Sequence, residues 1–532
     1  MLKKLKIYDF IILLLMLWSL TSILGCMNAD SMSDALFLYN RVAQLRTCIL
    51  EGHILGIFYY NDIGGIGYGS SFFYGYLTLI PFICITDRVL FIKIFFIVSY
   101  IILYLGAKSF IKRFSKDYDF IAFLFMASPF IVTLFVGTSM YLNYFAIGIS
   151  LFFLAKCIDF FRDEKSFYPA SILFFLLLNT HIITSVVSFV FCLILFIKYF
   201  NKEKIKDYIQ FCVFTLLICS YFLVNFLWHA KGVLNAGTAQ SYFLEEYKVT
   251  RKNNLIASFF GYNMSLGVGG LSTIYLEKVR GGLIVITPLV FGIGIYCMPK
   301  TKKNFRILGV LSIISIISVH YIWMWLYSKI NILIQFPTRY TAYTLIVFLI
   351  ICFRNSINKK LKIFLVITST IFSIIFPLLF NTTSLGQSNL NDIGTYIGNG
   401  EYLSDDFILD VDTFNKLSKT CKYNFINYNE YMYIDINEKD NSWFTVPKLW
   451  YRGYKAETTN GKPIKLRKGY SQFVEINPAN YVGTIRVYYS HPSWLYFMEV
   501  FSYTILMVGV NYECGKYISR KRKEKREEKK VV

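Results

Sequence analysis

Residues 88–116 read RVLFIKIFFIVSYIILYLGAKSFIKRFSK, and this stretch decides the fold class of the chain. Its first part, residues 88–107, is almost entirely apolar and matches the roughly 20 residues that a helix needs to cross a bilayer. Lys108, Lys112 and Arg113 follow immediately. Because lysine and arginine collect in cytoplasmic loops, a basic cluster at the end of an apolar run is typical of a membrane-spanning helix that ends on the cytoplasmic side.

The composition of the whole chain agrees with a membrane protein. The 532 residues are 55% hydrophobic and 17% charged, whereas a soluble globular chain carries about 25% charged residues. This excludes a disordered protein, a disulfide-stapled secreted domain and an ordinary cytosolic enzyme. A net charge of +22 would indicate nucleic acid in a soluble protein. Here the cytoplasmic excess of lysine and arginine explains it better, so we expect a lipid bilayer and no nucleic acid as partner.

Apolar runs along the chain predict an α-helical polytopic protein with about twelve spans. The stretch 167–199 is long enough for two short crossings around Asn179-Thr180-His181. The segment 72–86 is short, aromatic and contains Pro81, so we interpret it as juxtamembrane or re-entrant. The other predicted spans are 8–26, 88–107, 119–137, 140–160, 208–228, 281–298, 306–326, 337–353, 361–381 and 494–513.

The basic clusters all fall on one side of this predicted topology. Both termini are therefore expected in the cytoplasm of a cell with a plasma membrane, and the large loops outside it. The predicted parts are a transmembrane domain 1–381 with external loops 27–87 and 229–280, an external domain 382–493, a final helix 494–513 and a basic tail 514–532.

The external domain 382–493 carries alternating strand patterns. They occur in YMYIDIN, GYKAETT, PIKLRKG, SQFVEIN and TIRVYYS, and such alternation is typical of half-buried strands. Asn460-Gly461 is a strong hairpin turn signal. We therefore predict a small β-sandwich.

The first external loop contains the candidate catalytic residue. From Ser33 it is predicted to form an amphipathic helix on which Asp34, Phe37 and Arg41 share one face. Asp34 lies near the start of the helix, and Asp30 lies just upstream. One interpretation is a capped interfacial helix with solvated charges. The other is a general base that takes a proton from a sugar acceptor while a cation stabilises a leaving lipid phosphate.

Three further positions could line such a site. The glycine-rich stretch around Tyr68 allows close backbone approach to a ligand, or it is simply a turn-rich connector. His181 lies in the break between two short spans, as a functional group or as an interfacial turn residue. Arg339, which follows Gln335 at the start of a late span, could bind a phosphate or extend its side chain to the interface.

Several of these stretches together resemble the YfhO-like and 6-pyruvoyl-tetrahydropterin-synthase-related membrane proteins, a branch of the GT-C glycosyltransferases. SDALFLYNR is similar to their D-x-x-F-H-x-x-R signature, with Leu38 in place of the histidine. GIGYGSSFFYGYLTLIP is similar to their glycine/tyrosine stretch, NTHIIT to a histidine-containing helix break and IQFPTR to Q-F-P-x-R. WFTVPKLWYRGYKAETTNGKPIKL resembles a strand run of their terminal β domain.

This resemblance implies a GT-C-like membrane domain and a glycosyltransferase with an extracytoplasmic active site. Asp34 would be the catalytic base, with Asp30 as the second candidate. The donor would be a polyprenyl-phosphate-linked sugar, and the acceptor an envelope glycan such as a teichoic acid or wall polysaccharide. Residues lining the donor site would be Arg41, Arg339, His181, Gln335 and Tyr68. A divalent metal is left open, and no ligand spacing indicates one.

Two other function classes stay open from the sequence. A flippase or exporter of lipid-linked saccharide would need charged residues along mid-membrane helices, of which the sequence has few. A non-catalytic membrane scaffold that binds glycan through its β domain would tolerate the loss of Asp34, whereas a transferase would not.

Overall fold

The computed structural model describes most of the chain but not all of it. The described residues are 7–25, 33–128, 131, 141–163, 166–230, 286–298, 306–312, 341–355, 357–380, 421–428, 430–469 and 472–531.

Helices make up most of the described chain. They are α1 Ile7–Gly25, α2 Ser33–Leu50, α3 Arg88–Ile111, α4 Tyr118–Met126, α5 Tyr141–Asp163, α6 Tyr168–Leu178, α7 Ile182–Tyr199, α8 Ile205–Ala230, α9 Ile286–Cys297, α10 Thr341–Phe353, α11 Lys359–Phe380 and α12 Ser493–Val531.

Five helical stretches among the described residues are long and apolar enough to cross a bilayer, and they indicate a membrane protein. The predicted count of about twelve spans is not supported. Three further apolar helical stretches have 10–17 residues within the part of the chain that the structure describes, namely Ile7–Thr21, Tyr168–Leu178 and Ala342–Phe353. The five candidate spans are Arg88–Ile111, Tyr141–Arg162, Ile182–Tyr199, Lys202–Ala230 and Ser493–Ser519.

The segment 72–86 forms no long helix. It contains the end of a 3₁₀ helix, Gly69–Phe72, and a second one, Leu77–Phe82, which includes Pro81. Proline lacks the backbone N–H that a continuous helix needs, and 3₁₀ helices rarely exceed a few residues. The segment is therefore too short to be a full span, in agreement with the sequence-based interpretation.

The chain folds as two compact units that each combine three segments. The first unit comprises Met1–Tyr39, Asp87–Ala155 and Ala236–Asn391, and the second comprises Asn40–Thr86, Lys156–Asn235 and Asp392–Val532.

In the first unit, α3 and α5 approach each other closely at two glycines. A Cβ atom added to Gly106 would lie 2.3 Å from the carbonyl oxygen of Gly148. A Cβ atom added to Gly148 would lie 2.7 Å from the backbone of Ile102 and Leu103. Small residues at such crossings are typical of helices that pack within a membrane, because they let the two backbones touch.

In the same unit, two aspartates pair with Lys108, one of the basic residues on which the predicted topology depends. Lys108, at the end of α3, donates a hydrogen bond to Asp9 and forms an ion pair with Asp119 at 2.8 Å. The Tyr104 hydroxyl also donates to Asp9, at 2.6 Å. Lys108 is therefore held by α1 and α4 and is not simply solvated.

The second unit contains seven strands in two antiparallel sheets, which confirms a small β-sandwich-like region. One sheet has the order β1-β2-β7-β4 and the other β3-β6-β5. The strands are β1 Asn424–Asn427, β2 Tyr431–Ile436, β3 Phe444–Leu449, β4 Tyr454–Thr458, β5 Lys465–Lys468, β6 Phe473–Asn477 and β7 Gly483–Tyr489. The five alternating patterns match β2 and β4 to β7, whereas β1 and β3 were not predicted.

The Asn460-Gly461 turn forms and closes a short antiparallel hairpin, in which Glu457 pairs with Pro463 and the Ile464 N–H donates to the Ala456 carbonyl at 2.8 Å. Gly461 has a φ of +75°, and the Thr458 N–H donates to the Lys462 carbonyl at 2.9 Å. The turn joins β4 to β5, which belong to different sheets. The prediction of a hairpin turn is therefore confirmed, and beyond this short ladder the chain passes into the second sheet.

The helices of the second unit pack through an apolar core of their own. Phe175 and Leu178 of α6 contact Ile218, Cys219 and Phe222 of α8, and side chains of α12 pack against the same cluster. Each buried side chain of this size contributes about 1.5–3 kcal/mol.

Candidate functional site

Arg41 lies in α2 and is buried, with 1% of its surface exposed. Its Nη2 atom donates to the carbonyl oxygens of Tyr74 at 3.3 Å and Gly75 at 3.1 Å. The guanidinium carbon lies 4.9 Å from the centre of the Tyr74 ring. The interpretation of a solvated charge is therefore wrong for Arg41, because its side chain anchors the glycine/tyrosine segment.

The same segment contacts the predicted helix break at residues 179–181. A Cβ atom on Gly75 would lie 2.4 Å from the side-chain oxygen of Asn179 and 2.6 Å from its Cα atom, so only glycine fits there. The ring centre of His181 lies 6.2 Å from that of Tyr74. The structure thus brings together three stretches that are more than 30 residues apart in sequence, around Arg41, Tyr74 and His181.

His181 has a local structural role at this place. Its Nδ1 atom accepts hydrogen bonds from the Thr184 N–H at 3.2 Å and from the Thr184 hydroxyl at 2.9 Å. It is the residue that precedes the first turn of α7, and 5% of its surface is exposed. A hydrogen bond to an otherwise unpaired N–H of the first turn is the usual function of an N-cap side chain. The predicted break between two helices is confirmed.

Tyr68 is also fully buried, with 0% exposure. Its backbone pairs with Tyr59 in an isolated bridge, in which the Tyr68 N–H donates to the Tyr59 carbonyl at 3.1 Å. Gly67, just before it, has a φ of +88°, which favours glycine. Arg41, His181 and Tyr68 therefore build the interior of this region and offer little open surface.

Asp62 and Asn40 are buried polar residues that the sequence reasoning missed. The Asn40 side-chain amide donates to Asp62 Oδ1 at 2.9 Å, and the two residues are 3% and 1% exposed. Burial raises the pKa of the nearby Tyr59 hydroxyl. The positive charge of Arg41 lowers this pKa, and the negative charge of Asp62 raises it further. Arg41 and Asp62 thus act on the same buried hydroxyl. The signal for Asp62 in the sequence is its position just before Gly64-Gly65, in the glycine-rich stretch that was predicted to approach a ligand.

A second buried carboxylate, Glu499, lies in α12 with 0% exposure. It accepts hydrogen bonds from the Gly56 N–H at 2.8 Å and from the Tyr76 hydroxyl. The Tyr503 hydroxyl donates to that of Tyr76 at 3.3 Å. Burial raises the pKa of Tyr76 well above its ordinary value, and the charge of Glu499 contributes. This carboxylate therefore connects Gly56 and Tyr76 to α12, and the sequence did not indicate it because it lies within an apolar run.

Two buried histidines meet near the sandwich. The Tyr489 hydroxyl lies 3.3 Å from His229 Nε2 and 3.3 Å from His491 Nδ1. The His229 ring stacks on Phe72 with ring centres 3.8 Å apart. Burial lowers the pKa of His491 to about 4, so this ring is neutral near pH 7.

One group of side chains among the described residues offers metal ligands. Glu51 and His53 follow the end of α2, and Glu430 immediately precedes β2. Their ligand atoms lie within 4.8 Å of one another. None of these three residues was among the predicted site residues.

Four predicted site residues cannot be placed in this arrangement. Asp30, Gln335 and Arg339 lie outside the described residues. Asp34 is the second residue of α2, which begins at Ser33 as predicted, but the described residues give no account of its side chain. The roles of all four residues stay predictions.

Comparison with known proteins identifies no relative of this chain. No protein-family model, no curated protein and no solved structure matches it.

Proposed function

We propose that the protein is a membrane glycosyltransferase that moves a sugar from a polyprenyl-phosphate donor to an extracytoplasmic cell-envelope glycan. The observation that carries the proposal is the meeting of Arg41, Tyr74-Gly75 and the 179–181 break. These are three of the stretches on which the resemblance to the GT-C glycosyltransferases rests. Motifs of one active site must come together in the folded chain, and these do.

In the proposed reaction Asp34 takes the proton from an acceptor hydroxyl. The hydroxyl oxygen then bonds to the anomeric carbon of the donor sugar, and the bond from that carbon to the phosphate oxygen breaks. The electron pair stays on the phosphate, so polyprenyl phosphate leaves. A positioned carboxylate base contributes typically 10²–10⁴-fold in rate. The stereochemistry at the anomeric carbon is left open.

The two arginines have different roles in this proposal. Arg41 is buried and bound to two carbonyl oxygens, so it acts as a positioning residue for the glycine/tyrosine segment. Arg339 remains the candidate that stabilises the leaving phosphate, because a guanidinium matches the geometry of phosphate oxygens. We propose the plasma membrane as location, with both termini in the cytoplasm and the site outside it.

The test compares envelope glycans made in a strain that lacks this gene. The strain is complemented with wild type, with Asp34→Asn and with Asp207→Asn, each at matched protein level. Asp207 is an exposed aspartate in the first turn of α8 and provides an isosteric control. Glycan sugars are measured by mass spectrometry. Wild type and Asp207→Asn should add a sugar that Asp34→Asn cannot add.

The other outcomes decide among the remaining functions. Equal glycans from wild type and Asp34→Asn would remove Asp34 as the base, and Asp30→Asn would then be tested in the same strain. If both aspartate variants restore the glycan, the protein is no transferase of this kind, and transport of a lipid-linked saccharide or glycan binding by the β domain takes its place.

A further inference from the structure

We propose that Glu51, His53 and Glu430 bind one divalent transition-metal ion that fastens the β1–β2 turn to the end of α2. This site is separate from the cluster around Arg41, and it does not depend on sugar transfer. The three side chains come from two places in the chain that are 377 residues apart. All of them belong to the second compact unit.

The backbone explains how Glu51 and His53 reach the same place. Helix α2 ends at Leu50, and Gly52 follows with a φ of +92°. The His53 N–H donates to the Cys48 carbonyl at 2.9 Å, and the Gly52 N–H donates to the Ile49 carbonyl at 3.1 Å. This left-handed glycine turn is a common helix C-terminus. Glu51 and His53 flank this glycine, and the turn brings their ligand atoms within 4.8 Å of each other.

Glu430 reaches this turn from the sandwich. β1 and β2 pair as an antiparallel hairpin, and the Tyr428 N–H donates to the Tyr431 carbonyl at 2.8 Å across its turn. Glu430 lies in that turn and contacts His53 through its Oε1 atom. The hairpin therefore presents one carboxylate to the helix end, at a position that its own hydrogen bonds fix.

The size of the cluster fits one ion. The three ligand atoms lie within 4.8 Å of one another. Bonds from zinc to nitrogen or oxygen are about 2.0–2.2 Å long and point to the corners of a tetrahedron, so two ligand atoms of one ion are about 3.4 Å apart. His53 Nε2 and Glu430 Oε1 are in direct contact, so their side chains would rotate apart to admit an ion between them. The side chains of His53 and Glu430 are 28% and 24% exposed, so an ion can enter from solvent and keep an open position.

The charge of the cluster favours a cation. Two carboxylates outweigh one imidazole, so the cluster carries a net negative charge. This charge acts on neighbouring groups. The pKa of Cys48 is raised to about 12 by burial first, and then by the charges of Glu51 and Glu430. The pKa of Tyr60 is also well above its ordinary value. Burial is the largest cause, and the charge of Glu430 is the next largest.

The donor set indicates the class of metal. One imidazole nitrogen with carboxylate oxygens suits zinc and its first-row neighbours, whereas calcium and magnesium prefer oxygen ligands alone. Three protein ligands would leave at least one position of the ion for water. The simpler alternative is an ion pair between His53 and Glu430 without any metal.

The experiment measures Zn²⁺ binding by the full chain in detergent, by metal content after dialysis and by thermal unfolding. Wild type should retain about one Zn²⁺ per chain and unfold at a higher temperature with Zn²⁺ than with a chelator, because a ligand that binds only the folded state stabilises it. His53→Gln and Glu430→Gln should each lose at least tenfold in affinity. The matched control is Glu438→Gln, an exposed glutamate with a side chain 68% exposed, just beyond β2.

Each other outcome overturns the proposal. Zinc retained equally by wild type and by both variants would place the metal elsewhere. No zinc in wild type, with a normal unfolding temperature, would leave only the His53–Glu430 ion pair. Stabilisation by Ca²⁺ or Mg²⁺ but not by Zn²⁺ or Mn²⁺ would refute the assigned class. If His53→Gln does not fold, Glu430→Gln decides alone, because glutamine keeps the size of glutamate and removes only its charge.

Discussion

A buried lysine in the sandwich predicts how the free energy of unfolding changes with pH. Lys448 lies in β3 and is 3% exposed. Its Nζ atom donates to the Gly65 carbonyl at 2.6 Å. Burial lowers its pKa from 10.5 to about 8. At about 1.36 kcal/mol per pH unit, this difference of about 2.5 corresponds to about 3 kcal/mol against the charged form.

The sign of the pH dependence follows from which state holds the proton. Below pH 8 both folded and unfolded chains carry a charged Lys448, so the folded state bears the full cost of burial. Between pH 8 and 10.5 the unfolded lysine keeps its proton while the folded one has released it. Folding is then linked to proton release, and the stability contributed at this position rises with pH.

The perturbation is Lys448→Met, which removes the charge and leaves an unbranched side chain that is one atom shorter. The Gly65 carbonyl still accepts a hydrogen bond from the Asn427 amide at 3.1 Å, so it stays satisfied. Removing the buried charge gains about 3 kcal/mol, and losing the hydrogen bond costs about 1 kcal/mol. We therefore expect Lys448→Met to be more stable than wild type by about 2 kcal/mol at pH 7. The advantage should vanish by pH 10.

The assay is thermal unfolding of the full chain in detergent, followed by intrinsic fluorescence, at pH 7, 8, 9 and 10. Lys455→Met, at an exposed position of β4, is the control for any general effect of removing a lysine. A Lys448→Met protein that is less stable than wild type at pH 7, by the same margin at every pH, would refute the reasoning. It would mean that the charged lysine is a net stabilising group.

Three further substitutions test close contacts. Gly75→Ala should destabilise the protein by at least about 1–3 kcal/mol, because the new methyl group would meet the backbone of Asn179. Gly148→Ala should cost a similar amount in helix packing, whereas Gly292→Ala, with nothing within 4 Å, should be neutral or slightly stabilising in the same thermal assay. Glu499→Ala should cost about 3 kcal/mol, since it leaves a buried N–H and a buried hydroxyl without an acceptor. An unchanged unfolding temperature in any of these three destabilising cases would contradict the packing or hydrogen bonding given for that residue.

Local patterns in the sequence predicted the parts of the fold that depend on short-range periodicity. The start of α2 at Ser33, the break at His181 and five strands with alternating residues all formed where expected. β3 was missed because it contains Pro447, which cannot donate a hydrogen bond within a sheet, and because its register shifts between Val446 and Leu449. β1 was missed because four residues are too few to show alternation.

The predicted count of about twelve spans is not supported, for a different reason. Hydropathy measures how apolar a run is, but it does not give the length of the helix within that run, and the predicted span 306–326 lies largely outside the described residues. Tyr168–Leu178 is only 11 residues long, although its sequence is apolar throughout. Among the described residues, five helices are both long enough and apolar enough to be candidate membrane spans.

The candidate site depended on contacts that no local pattern contains. Arg41 was predicted to line a site, but its pairing with the Tyr74 and Gly75 carbonyls comes from loop folding. Glu499 binds a backbone N–H 443 residues away. The contact between His53 and Glu430 spans 377 residues. Contacts between residues so far apart in sequence depend on how whole helices and strands pack. Local sequence patterns therefore indicated candidate residues but not the residues that they contact.

The proposed sugar transfer is tested most directly by following the lipid donor itself. Purified wild type and Asp34→Asn, each reconstituted into vesicles, are mixed with polyprenyl-phosphate sugars and envelope glycan extracted from the native host, and the lipids are measured by mass spectrometry. We expect wild type to convert one lipid-linked sugar to polyprenyl phosphate while the glycan gains that sugar, and Asp34→Asn to leave both unchanged. Lipid-linked sugars that stay intact with wild type, or that are consumed equally by Asp34→Asn, would contradict the account.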